Sequence, residues 1–192
     1  MTRLILASSS PYRKELLERL HLEFECISPN IDESSLKNEL PHDYVQRLAI
    51  EKAAEIGKSY PGSLIIGSDQ CCVNDHTILG KPKDYDHAIQ QLSAASGRCI
   101  KFLTGVSIQH PQSGWHREWV DTFTVEFRKL SRDEIERYLE IEQPFNCAGS
   151  FKSEKLGISL CQSMRGDDPT ALIGLPLIQV TQCLREFGLQ MP

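Results

Sequence analysis

The chain has 192 residues, 40% of them hydrophobic and 24% charged, with a net charge of −5 at pH 7. This composition is typical of a globular protein with a substantial core. The acidic balance argues against binding to nucleic-acid backbones, which requires a basic face, but it permits a small anionic substrate held by a few cations. The apolar stretch near the N-terminus is too short for a signal peptide or a membrane span, so we expect a cytoplasmic protein without membrane or nucleic-acid partners.

The seven cysteines are scattered along the chain without a C-x-x-C motif. This spacing predicts reduced, mostly structural thiols and favours neither a zinc site nor a disulfide framework.

The N-terminal segment combines a strand, a serine-rich turn and a helix. Residues 4–7 are an apolar run, Ser8 and Ser10 lie in the turn, and Pro11 suits the first position of a helix capped by Ser10. Free amide groups at a helix N-terminus attract anions, and the two hydroxyls add donors, so the segment predicts a phosphate site. Arg13 falls on the inward face of this helix, where it either meets a bound anion or extends past the core to solvent.

Residues 24–27 predict a second strand, and the polar loop after it contains the acidic pair Asp32-Glu33. Carboxylates in such a loop are either solvated or ligands of a metal ion. Residues 41–58 predict a helix with Lys52 on its apolar stripe. A lysine in that position either reaches the edge of the core or serves a site.

Residues 64–69 form the strongest predicted strand, a continuous apolar run that ends in Asp69. Reacting groups of α/β proteins gather beyond strand ends, and burial there tunes the proton affinity of a carboxylate. Asp69 is therefore the leading catalytic candidate, with a turn-capping aspartate as the alternative. Residues 71–79 predict a hairpin with His76 in its turn, and Lys81 follows in a Gly-Lys-Pro turn that lacks the P-loop pattern.

The remaining segments indicate one α/β domain over residues 1–192, because no repeat or linker divides the chain. The predicted elements are a helix over 84–95, a long hairpin over 99–109 and 115–127, a helix over 131–141 opened by a capping box, an irregular loop over 146–154, a strand over 157–160, a polar loop over 164–169 and a helix over 176–187.

The unusual side chains share one chemistry. Arg13, Lys52 and Lys81, together with a metal ion, would neutralise a polyphosphate, and a carboxylate would orient or deprotonate a water for attack on phosphorus. Serine-hydrolase and zinc-protease motifs are missing from the sequence, so those chemistries are less well supported.

The order and spacing of these segments resemble the Maf family of nucleotide pyrophosphatases over nearly the whole chain. The matching segments are residues 6–13, Asp32-Glu33, Glu51-Lys52-Ala53, Gly67-Ser68-Asp69-Gln70, Gly80-Lys81-Pro82, Thr104-Gly105 and Ala148-Gly149-Ser150. The resemblance implies the fold of inosine triphosphate pyrophosphatases (the Maf/Ham1 fold), in which a long, twisted, mixed β-sheet flanked by helices forms two lobes around a central cleft. It also implies hydrolysis of a nucleoside triphosphate to a monophosphate and pyrophosphate with Mg²⁺ or Mn²⁺, often by a homodimer.

The resemblance further implies a role for each matching residue. Asp69 would be the general base, and Glu33 and Asp69 are the candidate metal ligands. The candidate phosphate-binding residues are Ser8, Ser10, Arg13, Lys52 and Lys81.

Three positions predict the nucleobase. Tyr12, Gln70 and Glu154 stand where the branch that hydrolyses dTTP and UTP has arginine, threonine and glutamine, and they resemble the YceF-like branch associated with 7-methyl-GTP. The methylated base is cationic, so an aromatic ring can stack on it and a carboxylate can accept its N1 and N2 donors. Alternatively, Tyr12 is a packed ring and Glu154 a surface acid.

Two other functions stay open at this point. The substrate could be dTTP, UTP or another modified nucleotide, or the chain could be a non-catalytic, nucleotide-binding regulator of cell division.

Overall fold

The computed structural model describes residues 2–75 and 77–191; His76, in the turn of the predicted hairpin, lies outside them. The strands are β1 (Leu4–Ala7), β2 (Glu25–Cys26), β3 (Leu64–Asn74), β4 (Thr77–Leu79), β5 (Cys99–His110), β6 (Trp115–Phe127) and β7 (Cys161–Arg165). The α-helices are α1 (Pro11–Glu18), α2 (Pro41–Ser59), α3 (Tyr85–Ala95), α4 (Arg132–Glu142) and α5 (Leu177–Phe187), and short 3₁₀ helices cover Ala148–Ser150, Leu156–Leu160 and Ala171–Ile173.

Within the described residues the strands form a seven-stranded mixed sheet in the order β2-β1-β3-β5-β6-β7, with β4 beside β3. Strand β1 is parallel to β2 and β3, whereas β4 is antiparallel to β3 and β7 is antiparallel to β6. The predicted α/β class, a mixed sheet flanked by helices, is confirmed.

The chain divides into two compact units. The described part of the first unit comprises residues 2–69, 104–121 and 170–191. Its sheet is covered on both faces, because Leu4 and Leu6 of β1 belong to a cluster with α1 and α5, whereas Ile5 belongs to a second cluster with Ala53 of α2. Burial on both faces explains why β1 and the start of β3 are continuous apolar runs.

The second unit comprises residues 70–103 and 122–169, of which His76 is not described. Phe151 is central to its packing, with its ring centroid 5.8 Å from that of Phe102 and 5.0 Å from that of Phe127. Asn74, at the end of β3, donates a hydrogen bond from Nδ2 to the Ala94 carbonyl of α3 at 3.0 Å. The expectation of a single domain stays a prediction.

Two predicted boundaries are wrong. Strand β3 continues to Asn74, so Asp69 lies within the strand and not at its end, because the buried residues Cys71 and Cys72 extend the same strand. Residues 157–160 belong to a 3₁₀ helix, and the strand is β7, which overlaps the predicted polar loop at Met164 and Arg165. Backbone pairing with β6 defines β7, and its polar side chains give no apolar alternation for a sequence to reveal.

The seven cysteines all lie among the described residues and are reduced thiols. In the described parts of the chain, every helix is too short or too polar to cross a membrane.

Candidate active site

The serine-rich turn between β1 and α1 has the predicted capping geometry. Ser10 is the N-cap of α1, and its Oγ accepts a hydrogen bond from the Arg13 amide at 3.4 Å. The buried Ser8 places its Oγ 3.1 Å from the Ser10 amide, which donates to it. Both hydroxyls thus hold the turn that leads into α1, and the positive end of the α1 dipole favours an anion there.

Arg13 is directed inward and held by backbone and side-chain acceptors. Its Nε donates to the Gly174 carbonyl at 2.9 Å, and its Nη1 donates to Ser8 Oγ at 3.5 Å. Burial lowers the pKa of the guanidinium, and the negative charges of Asp69 and Glu33 oppose that shift. A partly buried guanidinium near two carboxylates is an arrangement that can bind a phosphate group.

The Gly174 carbonyl is a shared acceptor, because Ser68 Oγ also donates to it at 2.9 Å. The segment that carries Gly174 is held by Thr104, whose Oγ1 donates to the Ala171 carbonyl at 2.9 Å. Sequence reasoning missed this function of Gly174, since every residue has a carbonyl and no side-chain pattern marks the one that is used.

Lys52 forms ion pairs with two carboxylates. Its Nζ lies 2.6 Å from Asp69 Oδ1 and 2.9 Å from Glu33 Oε1. Lys52 and Asp69 are only 6% and 8% exposed, whereas the Glu33 side chain is 56% exposed. A buried ion pair contributes little net stability, so its electrostatic interaction with Arg13 favours a functional role.

Close packing of α2 on β3 brings Lys52 to Asp69. A Cβ atom added to Gly67 would lie 2.2 Å from the Ala49 carbonyl oxygen and 2.8 Å from the Ala53 amide nitrogen. Only glycine lets the helix backbone come this close to the strand. Gly67 therefore provides the space for the close approach of α2, and Asp69, two residues later, provides the carboxylate that pairs with Lys52.

The loop that carries Glu33 is attached to α2 by Arg47. Arg47 Nε and Nη2 donate to the two carboxylate oxygens of Glu39 at 2.6 and 2.9 Å, and Nη2 also donates to the Ser34 carbonyl at 3.1 Å. These hydrogen bonds lower the pKa of Glu39 to about 2. Tyr44 Oη donates to the Glu33 carbonyl at 3.0 Å, so α2 fixes the backbone of the proposed metal ligand. Sequence reasoning missed this role of Glu39 and Arg47, whose separation matches no local motif.

The carboxylates of Glu33 and Asp69, which both pair with Lys52, supply the type of oxygen ligand that a hard divalent cation prefers. Mg²⁺ and Mn²⁺ prefer oxygen ligands and are commonly held by one or two carboxylates together with substrate phosphates. Among the described residues, no group of three or more His, Cys, Asp or Glu side chains could hold a metal ion. Glu33 and Asp69 stay candidate metal ligands on the chemistry of their carboxylate oxygen atoms alone.

The predicted site residues divide between the two units. Ser8, Ser10, Tyr12, Arg13, Glu33, Lys52 and Asp69 belong to the first unit, and Gln70, Lys81 and Glu154 belong to the second. Tyr12 is partly buried in the first turn of α1, and Gln70 is partly buried in β3. Lys81 is exposed after β4, and Glu154 is exposed in the loop after the 3₁₀ helix Ala148–Ser150.

The fold places the protein in a known structural class. It is similar to the HAM1 protein from Coxiella burnetii, with a TM-score of 0.54 and 15% identity over 97% of this chain and 100% of that chain. The Ham1 protein of Staphylococcus aureus gives a TM-score of 0.55 and 13% identity over 97% of this chain and 99% of that one. The fold is therefore Ham1-like, as predicted.

Within that class, the model of the family described as Maf-like protein matches residues 3–187, and the chain belongs to the Maf family. Proteins named 7-methyl-GTP pyrophosphatase from Pseudomonas savastanoi and Pseudomonas syringae pv. tomato are 52% and 53% identical to it over the full length of both chains. The protein of that name from Colwellia psychrerythraea is 49% identical over 100% of this chain and 96% of its own length. The predicted family is confirmed, and these relatives bear the names of hydrolases, the predicted class of enzyme.

Proposed function

We propose that this chain is a nucleoside triphosphate pyrophosphatase that hydrolyses 7-methyl-GTP to 7-methyl-GMP and pyrophosphate. The observation that carries the proposal is the buried Lys52 between Asp69 and Glu33, with the partly buried Arg13 electrostatically coupled to both carboxylates. The names of the full-length relatives support this substrate.

The cations and the serine turn bind the triphosphate. Arg13 offers a planar set of N–H donors that matches phosphate oxygens, and an anion there compensates for the burial of its charge. Lys52 and Lys81 act as point charges for other phosphate oxygens. The hydroxyl groups of Ser8 and Ser10 complete the donors, at the positive end of the α1 dipole.

Asp69 orients a water molecule and accepts its proton. The oxygen of that water attacks the α-phosphorus, the bond from this phosphorus to the bridging oxygen breaks, and pyrophosphate leaves. Lys52 holds the Asp69 carboxylate in place through the 2.6 Å contact at Oδ1. Glu33 and Asp69 would hold Mg²⁺ or Mn²⁺ together with phosphate oxygens, which supplies neutralisation of the charge that develops on the phosphates.

Tyr12 and Glu154 provide the preference for the base. A tyrosine ring against the cationic 7-methylguanine contributes about 0.5–2 kcal/mol. The Glu154 carboxylate accepts from the N1 and N2 donors of guanine, which a pyrimidine does not present in this arrangement. Gln70 is the third residue that we propose contributes to the base preference.

A substrate panel tests the proposal. Pyrophosphate and orthophosphate release are measured for 7-methyl-GTP, GTP, dTTP and UTP with Mg²⁺ and with Mn²⁺. We expect pyrophosphate as the product and the highest kcat/KM for 7-methyl-GTP. Faster turnover of dTTP or UTP would contradict the base assignment, and stepwise release of orthophosphate would contradict the assigned bond.

Variants of two aspartates test the role of Asp69. We expect Asp69→Asn to lower kcat by at least about a hundredfold, the lower range for loss of a general base, while nucleotide binding by calorimetry is retained. Asp43→Asn, at an exposed position of α2, is the matched control and keeps full activity. A cell-division phenotype that is identical with wild-type protein and Asp69→Asn would favour the non-catalytic regulator instead.

The proposal includes a homodimer in the cytoplasm, on the basis of the family resemblance. Sedimentation equilibrium of the purified chain tests the dimer. A single species with the mass of one chain at assay concentrations would contradict it.

A further inference from the structure

Helix α4 holds the loop that carries Glu154. The amide of Lys152 donates to Tyr138 Oη at 3.1 Å, and the amide of Leu156 donates to Glu142 Oε2 at 3.1 Å. Glu154 lies midway between these two anchored amides. Residues 151–156 are called the specificity loop below.

Glu142 contacts the loop at two residues, Leu156 and Lys152. Its Oε1 lies 3.4 Å from Lys152 Nζ, and the side chains of Glu142 and Lys152 are only 7% and 14% exposed. Glu142 is the last residue of α4, where a carboxylate opposes the helix dipole. A buried acid at this end of a helix is thus explained by the loop that it holds.

The specificity loop is also closed on itself. A Cβ atom added to Gly157 would lie 2.3 Å from the Lys152 carbonyl oxygen, so the end of the loop packs against its start. The Tyr138 side chain is buried. Burial raises the pKa of Tyr138, the Lys152 amide opposes the shift, and the charges of Glu142 and Glu154 add to it. The Glu154 carboxylate is therefore electrostatically coupled to one of the two anchors.

We infer that Tyr138 and Glu142 are positioning residues that set the nucleobase preference, because they fix the backbone on both sides of Glu154. This inference rests on the proposed function, in which Glu154 accepts hydrogen bonds from the base. If the loop moves, part of the binding free energy is spent on ordering it. The hydrogen bonds of the Glu154 carboxylate then discriminate less well between the correct base and others.

Steady-state kinetics of four variants test the inference. Tyr138→Phe removes one hydroxyl and keeps the ring, Glu142→Gln removes the charge, Glu142→Ala removes both acceptors, and Glu140→Ala is the control at an exposed position of the same helix. The measured quantity is the ratio of kcat/KM for 7-methyl-GTP to that for UTP, because GTP presents the same N1 and N2 donors as 7-methyl-GTP whereas UTP does not. We expect this ratio to fall about tenfold in Tyr138→Phe and in Glu142→Ala, the equivalent of one lost hydrogen bond to a charged group.

The pattern of the change separates positioning from general destabilisation. The loss should appear in KM for 7-methyl-GTP, whereas kcat for the same substrate stays within about twofold, because in the proposed function Glu154 contacts the base and not the reacting atoms. Glu142→Gln should lie between wild type and Glu142→Ala, and Glu140→Ala should equal wild type. A variant with a lower melting temperature and an unchanged ratio would show a structural role alone and would overturn the inference.

Two further measurements tell failure of the inference from failure of the proposed function. In a Glu154→Gln background, Tyr138→Phe and Glu142→Ala should lower the ratio no further. If they lower it as much as they do in the wild-type background, the claim that these residues act through Glu154 is wrong. Amide exchange of residues 152–156 without nucleotide should be faster in Glu142→Ala than in Glu140→Ala, and equal rates would overturn the positioning itself. A wild-type enzyme that does not prefer 7-methyl-GTP would instead refute the proposed function, whatever the exchange rates show.

Discussion

Replacement of Lys52 by methionine tests whether the buried ion pair holds the site together. Methionine keeps most of the apolar stem but removes the ammonium group from Asp69, which is 8% exposed. Loss of one partner from a buried pair costs about 3–5 kcal/mol, because the other charge stays buried. The positive charge of Arg13 is coupled to Asp69, so we expect a value near the lower end. Glu33 adds little to this cost, since its side chain is 56% exposed.

Urea unfolding at neutral pH measures the difference, with Lys58→Met as the matched control on the same helix. The Lys58 side chain is 73% exposed, so its replacement should change the free energy of unfolding by less than about 0.5 kcal/mol. Asp69→Asn should cost less than Lys52→Met, about 1.5–3 kcal/mol, because Lys52 keeps Glu33 as a partner at 2.9 Å. Equal unfolding midpoints for Lys52→Met and wild type, with pyrophosphate release intact, would refute this account of the pair.

Three other outcomes follow from the same contacts. Gly67→Ala should lower the free energy of unfolding by about 1–3 kcal/mol in urea unfolding and reduce kcat by moving Lys52. Gly80→Ala, with no atom within 4 Å of the added Cβ, should leave the free energy of unfolding unchanged. Arg47 lowers the pKa of Glu39 from 4.5 to about 2, so wild type should exceed Glu39→Gln in thermal stability at neutral pH, and the difference should vanish as the pH falls through that interval; a constant difference would contradict the pairing. Chelation by EDTA should abolish pyrophosphate release and added Mg²⁺ should restore it, and full activity in EDTA would rule out the metal role of Glu33 and Asp69.

The elements that could be predicted from the sequence are those with local signals. Ser10, Asp84 and Ser131 cap their helices as their residue types predict, because a cap is a contact between residues two or three positions apart. The inward position of Lys52 followed from its place on an apolar stripe. The chemistry assigned to these residues came from the family resemblance and stays a prediction.

The features that the sequence did not reveal depend on backbone atoms or on distant partners. Residue patterns do not indicate the role of the Gly174 carbonyl, because every residue has one. They also do not indicate the attachment of the specificity loop to Tyr138 and Glu142, because each of the two hydrogen bonds joins a backbone amide to a side chain 14 positions away. The placement of Asp69 at a strand end was wrong because an acid was treated as the end of an apolar run. Pairing with β4 extends the strand beyond it to Asn74.

One carbonyl oxygen makes the assembly of the proposed phosphate site depend on the order of chain synthesis. Gly174 accepts from Arg13 and Ser68, which precede it by 161 and 106 positions. A nascent chain on the ribosome thus acquires its arginine and serine long before the acceptor that orients them both. The arrangement of Arg13 and Ser68 around this acceptor can therefore form only after the segment around Gly174 has been synthesised and has docked.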